Sequence, residues 1–198
     1  MSRFFTFVAV AAGSLVAAGC ASGLGSASPR LVELYDDADP AGLIEIELDR
    51  RGTIIEMEAD VLVSDLPDAV LAAARAALGG AEITGAEREI HPDRTLYEVK
   101  FRENGRDGEL LLDDRGVIRE TERELSEAEA PAAVLESATA AVPGGAFKSV
   151  ELIEIGSERL YHVKLLRDGA SYKIVLDPAG NVLRKVREHR AEIEIPLR

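Results

Sequence analysis

His91, His162 and His189 are the only imidazoles in the chain, and they are the first place to look for acid–base or metal chemistry. Their spacing argues against both. No two lie three or four residues apart, and none belongs to a His-Glu-X-X-His pattern, which would set two ligands on one helix face. His91 precedes Pro92 in a turn, and His162 alternates with Tyr161 and Val163. Asp113 and Asp177 open short stretches that close in Gly116 and Gly180. Carboxylates in loops can hold calcium, but the alternating oxygens of a calcium loop are missing here. An aspartate that bonds its own turn backbone is the favoured reading. There is no Gly-X-Ser-X-Gly elbow, and no glycine loop runs into Lys-Ser or Lys-Thr. No catalytic residue, metal ligand or cofactor is therefore expected, and the chain reads as non-enzymatic.

The one cysteine, Cys20, stands in a different context. Arg3 and the amino terminus give a positive start, and residues 4–16 are apolar but too short to cross a bilayer. Ala17, Ala18 and Gly19 are small, as a signal peptidase groove requires. The segment resembles a bacterial lipoprotein lipobox, although Ala17 stands where leucine is usual. That resemblance implies removal of residues 1–19, acylation of Cys20 and a lipid anchor in the cell envelope. Ala21 in place of aspartate implies outer-membrane retention where there are two membranes. Residues 20–42 are rich in small residues near their start and read as a tether.

The chain has 198 residues, with 36 Asp+Glu against 23 Lys+Arg, and its net charge is -13. That acidity speaks against nucleic acid as a partner, since phosphate binding needs a basic face. A hydrophobic fraction of 46% allows a buried core.

An internal correspondence organises the rest. Adding 64 carries Pro67, Ala69, Val70 and Leu71 onto Pro131, Ala133, Val134 and Leu135. It carries Leu96, Tyr97, Val99 and Lys100 onto Leu160, Tyr161, Val163 and Lys164, and Asp113 and Gly116 onto Asp177 and Gly180. About a third of the positions agree without a gap, which marks a tandem repeat. Pro67 and Pro131 suit first helical positions, with Ser64 and Asp65 as capping candidates. Val70, Leu71, Ala74, Ala77 and Leu78 form an apolar stripe at helical spacing, matched by Val134, Leu135, Ala138, Ala141 and Val142. Gly79-Gly80 and Pro143-Gly144-Gly145 stop the helices. Period-two segments follow at 96–101 and 160–165, with hairpin turns at Asn104-Gly105 and Asp168-Gly169. The pattern predicts an α+β fold of two tandem helix-plus-antiparallel-strand units, with the helices packed on one face of an antiparallel sheet. The first unit with its opening hairpin spans 43–125, and the second spans 126–198.

The order of these motifs resembles the PepSY-like domain, also described as beta-lactamase-inhibitor-like. Pro143, Gly144, Gly145, Tyr161, Val163, Gly169, Asp177, Gly180 and Val182 carry the resemblance in the second unit. Gly79, Gly80, Tyr97, Val99, Gly105, Asp113, Gly116 and Ile118 carry it in the first, which lacks the proline. The resemblance implies a secreted, periplasmic or lipid-anchored protein that binds or inhibits other proteins, and it brings no catalytic residues.

Strand parity then divides the sheet. Tyr97 and Tyr161 fall in phase with Val99 and Val163, toward the helices, while Glu98, Lys100, His162 and Lys164 point away. In the opening hairpin Glu45 and Glu47 share that outward parity. These six residues would form an open face of mixed charge. It is either plain solvated surface or a docking surface for an envelope protein or peptide with basic patches. The expected function is a non-catalytic envelope lipoprotein acting as a protein-binding or inhibitory module. The alternative is a structural or accessory envelope protein, holding an assembly partner or a cation.

Overall fold

The computed structural model describes residues 43–189. The signal segment, Cys20 and the tether lie outside the described residues. Ten strands run in chain order: β1 (Ile44–Leu48), β2 (Ile54–Val61), β3 (Glu82–Ile90), β4 (Thr95–Glu103) and β5 (Arg106–Asp113), then β6 (Ile118–Leu125), β7 (Ala146–Ile155), β8 (Glu158–Arg167), β9 (Ala170–Leu176) and β10 (Val182–Glu188). Helix α1 (Asp68–Leu78) connects β2 to β3, and α2 (Ala132–Ala141) connects β6 to β7. Each strand pairs antiparallel with its sequence neighbours, so the order in the sheet is the order in the chain.

This corrects the expected α+β architecture of two helix-plus-strand units. The chain forms one ten-stranded, mainly β sheet, with helices of only 11 and 10 residues. The physical reason lies at the join. β6 pairs with β7 from Thr121↔Glu154 to Leu125↔Val150, so the later strands are hydrogen-bonded onto the earlier ones. A free sheet edge is a row of unsatisfied amides, and pairing removes it.

The local elements follow from residue type. Asn104-Gly105 and Asp168-Gly169 turn β4 into β5 and β8 into β9 with φ of 52° and 80°, and 51° and 78°. Two successive left-handed residues are what a two-residue hairpin requires. Pro67 and Pro131 sit just before their helices rather than inside them, and no side chain caps either helix. Ser64 and Asp65 belong to a short 3-10 turn instead. Gly79 ends α1 in the left-handed conformation, its N–H donating to the Arg75 carbonyl.

Both helices lie on the same sheet face. Val70 and Ala74 of α1 and Val134 and Ala138 of α2 are fully buried. Beneath α1 lie Val99, Phe101, Leu110 and Leu112, and beneath α2 lie Val163, Leu165, Ile174 and Leu176. Tyr97 and Tyr161 pack at these two cores. Alanine at the contact keeps the helix backbone close to the strands.

The turn after β5 and the turn after β9 grip the helices from above. Gly116 and Gly180 have φ of 79° and 85°. A Cβ there would stand 2.5 Å from the Ala69 carbonyl oxygen, or 2.6 Å from that of Ala133. Gly105 has φ of 80° but open space around it. Gly105→Ala should therefore cost about 1–2 kcal/mol, the backbone strain alone. Gly116→Ala and Gly180→Ala should each cost clearly more, about 3 kcal/mol or above, because the helix must also move. Urea unfolding of the three variants checks this, and equal losses at all three would show that close approach to the helix does not matter.

Candidate functional site

The sheet face away from the helices holds the chemistry. Its residues are Glu56, Glu58, Glu89, Glu98, Glu109, Glu120, Glu122, Glu151, His162, Lys164 and Lys173, all at most 7% exposed. Neither helix packs on this face, so the sheet buries it by rolling over it. Two contacts trace the roll. Arg184 of β10 meets Glu47 of β1, bringing the two ends of the sheet together. Lys173 of β9 acts electrostatically on Glu56 and Glu58 of β2 and on Glu89 of β3.

The expected open face is therefore an interior. Glu98 and His162 are 0% and 1% exposed, Lys164 is buried, and Lys100 is half-buried. Glu45, Glu47 and Lys100 keep partial exposure. All six residues share one face, but a docking protein cannot reach the buried three, Glu98, His162 and Lys164. The cause is curvature, which period-two patterning does not encode.

Register explains which groups meet. Asp60, Glu87, Glu98, Leu111 and Glu120 form one cross-strand row from β2 to β6. Lys100, Glu109 and Glu122 stand in the next row. In a further row, Glu151 stands opposite His162. Lys100 Nζ bonds Glu87 and lies 3.9 Å from Glu98.

Burial dominates the electrostatics. It pushes Glu58, Glu98, Glu109 and Glu120 well above the ordinary carboxylate range, with neighbouring carboxylates adding to the effect. Burial also raises Glu87 to about 7 despite Lys100 beside it. Burial opposes the Lys100 ammonium, but Glu98 and Glu87 outweigh it and hold the group charged above its usual range. Burial, then Glu122, lifts Glu151 to about 8, and the two carboxyl groups hydrogen-bond each other. Burial, then Lys173, drives His162 down to about 3, so its imidazole is neutral. Burial, then Lys164, lowers Lys173 itself.

Among the described residues, two sets of side chains could hold a metal: Glu56, Glu89 and His91, and Glu122, Glu151 and His162. In each, the ligand atoms lie within 4.8 Å of one another. The linear spacing of the histidines hid both sets, because each is assembled across strands. In the first, His91 Nε2 lies 3.0 Å from Glu89 Oε2 and Nδ1 3.5 Å from Glu56 Oε2, while Glu56 Oε1 and Glu89 Oε1 have no hydrogen-bond partner. The second leaves His162 Nδ1 and Glu122 Oε2 without hydrogen-bond partners. A small cleft lined by Asp107, Gly108, Glu109, Glu122, Glu124 and Glu151 reaches it.

The turn aspartates do structural work. Asp113 Oδ1 accepts from the Arg115 and Val117 amides, and Asp177 Oδ1 from the Ala179 and Asn181 amides. Asp49 Oδ1 does the same with Arg51 and Thr53. The second carboxylate oxygens of Asp113 and Asp177 take Arg119 and Asn181.

No protein-family model and no curated protein matches the chain. Solved structures do. A candidate periplasmic protein of Bacteroides eggerthii superposes with a TM-score of 0.51 at 21% identity, over 61% of this chain and 88% of its own. A DUF2874 family protein of Bacteroides uniformis gives 0.50 at 21% identity, over 61% and 88%. A BLIP-like protein of Bacteroides fragilis gives 0.47 at 19% identity, over 64% and 89%. The first two show a shared fold.

The buried carboxyls set a pH dependence. Glu98 faces Glu58 of β2, Glu87 of β3, Glu109 of β5 and Lys100 of its own strand. A folded pKa raised above the unfolded value of about 4.3 gives stability that is present below that value and lost as pH rises through the folded one. For Glu87 the loss begins near the unfolded value and is complete by about 7. The depressed His162 acts in the opposite sense and withdraws stability as pH falls from about 6.5 toward 3. Glu98→Gln should thus leave the Tm nearly unchanged at acidic pH and raise it by at least about 3 °C at mildly alkaline pH, where the wild type must hold or lose a proton. Thermal unfolding across that range reads the difference, and an offset independent of pH would refute it.

Proposed function

We propose that the protein is a non-catalytic, lipid-anchored module of the bacterial envelope that binds or inhibits another protein through its outer surface. One observation carries this reading. The groups able to do acid–base or nucleophile-activating work, the glutamates with His91 and His162, are sealed behind the rolled sheet at 5% exposure or less. A macromolecular substrate cannot reach them, so what the molecule offers other proteins is its exterior. Acidic residues exceed basic ones by 13 over the whole chain, which suits a partner with a basic patch and a salt-sensitive encounter.

The PepSY-like resemblance and the 64-residue correspondence support the same reading, because they are carried by structural residues such as Gly116 and Gly180 rather than by reactive ones. The candidate periplasmic protein of similar fold supports an envelope location. Cys20 after its short apolar segment supports the anchor.

The test begins with the full chain and a Cys20→Ser variant expressed in a bacterium with their natural amino terminus. Residues 1–19 should be removed from the first, which should gain a diacylglyceryl mass and sediment with membranes, while the variant stays unlipidated. The lipidated chain should then capture an envelope protein at low salt and release it at high salt, and the isolated partner should capture the chain in turn. His91→Asn should bind as the wild type does. A mature chain that is soluble and unmodified would remove the anchor. Catalytic turnover abolished by that same substitution would remove the non-catalytic reading.

A further inference from the structure

We propose that Glu122, Glu151 and His162 form a binding site for a divalent first-row transition ion of zinc-like preference, with Glu109 bordering it. The three residues come from the consecutive strands β6, β7 and β8 and face the same interior. They offer ligand atoms within 4.8 Å of one another. His162 Nδ1 and Glu122 Oε2 are 3.5 Å apart. Neither has a hydrogen-bond partner, although the residues are 1% and 4% exposed. Two ligands bonded at about 2.0–2.1 Å to a tetrahedral ion stand about 3.4 Å apart, so the gap has the width of a shared ion.

A second observation points to the same place. Glu109 Oε2 is also without a partner, on a residue 4% exposed. Glu109 stands directly opposite Glu122 in register. Glu109, Glu122 and Glu151 line one cleft, which supplies an entry path. Buried polar atoms are almost always satisfied, and a cation would satisfy His162 Nδ1 and Glu122 Oε2 together.

The donor set selects the ion. An imidazole with two carboxylates and no thiolate suits zinc, manganese or cobalt. Calcium wants six to eight oxygens, more than converge here. Lys164 and Lys173 are near enough to act on Glu122 and weaken the attraction for a cation. The Glu56, Glu89 and His91 set makes the contrast, because His91 Nε2 already bonds Glu89 at 3.0 Å, whereas His162 Nδ1 has no hydrogen-bond partner. The proposal does not rest on the protein-binding reading, and either can fail alone.

The test is calorimetric titration of the full chain with zinc chloride, with calcium chloride as comparator. One equivalent of zinc should bind, and saturation should raise the Tm by several degrees. Glu122→Gln and His162→Asn should each weaken zinc binding by about 10-fold or more, while His91→Asn should leave it within about 2-fold. Absence of saturable zinc binding, an equal loss in His91→Asn, or displacement of zinc by calcium would overturn the proposal. Should both site variants fail to fold, the zinc X-ray absorption spectrum of the unaltered protein decides. A first shell with one imidazole nitrogen and carboxylate oxygens supports the site, and a shell with two imidazoles or none refutes it.

Discussion

A carboxylate taken out of water loses its hydration, and this chain places eight buried glutamates inside one rolled sheet. The rest of the structure answers to that constraint. Protonation relieves part of the cost, which is why burial raises Glu58, Glu98, Glu109 and Glu120 together. Cations relieve another part, with Lys100 held charged between Glu87 and Glu98 and Lys173 reaching toward β2 and β3. Proton and lysine are alternatives here, because a carboxyl that keeps its proton no longer holds an ammonium beside it. The interior is therefore a set of exchanges among protons, ammonium groups and carboxylates, poorly placed to be surface recognition.

What holds the roll closed against like-charge repulsion lies mostly on the other face. The two cores under α1 and α2 are built from fully buried Val70, Ala74, Val134 and Ala138 against strand residues such as Val99, Leu112, Ile174 and Leu176. Apolar burial is non-directional and insensitive to pH, so this layer can carry the sheet through changes that the interior cannot. The interior has a smaller apolar share of its own in Ile153, Leu160 and Val175. The turn glycines Gly116 and Gly180, pressed onto the first turns of the helices, fix how closely the outer layer sits.

Much of this was legible in the residues, and the failures have a common cause. Hairpin turns, helix stripes and strand parity are local, and Asn104-Gly105, Gly79 and the Tyr97/Val99 phase are where local rules placed them. Curvature is not local. A charged residue alternating with an apolar one reads as solvent-facing, so Glu98 and His162 read as surface although both are buried. A sequence clue was present. Leu110-Leu111-Leu112 and Ile174-Val175-Leu176 are unbroken apolar runs within strands, and such runs mean that both faces of the strand are covered. Reading Leu111 and Val175 that way would have put the neighbouring Glu109 and Lys173 inside as well. The helices misled in the other direction, since two amphipathic stripes suggested two units where β6 to β7 pairing makes one sheet.

The 64-residue correspondence sharpens the meaning of the interior. Glu122, Glu151 and His162 lie 64 residues after Glu58, Glu87 and Glu98, and Lys173 lies 64 after Glu109. The earlier positions are all acidic, and the later ones have exchanged one carboxyl for an imidazole and another for an ammonium. An all-carboxyl set in a dry interior is quieted by protonation, by Lys100 and, at Glu58, by Lys173. The imidazole is neutral where it stands and presents a lone pair without adding charge. Glu109 faces Glu122 across the β5–β6 ladder, so the acidic member of one set borders the mixed set of the other. The mixed set itself exists because the strands form one continuous sheet. Had the chain folded as two separate units, Glu109 and Glu122 would stay together in the first, and both would be parted from Glu151 and His162 in the second.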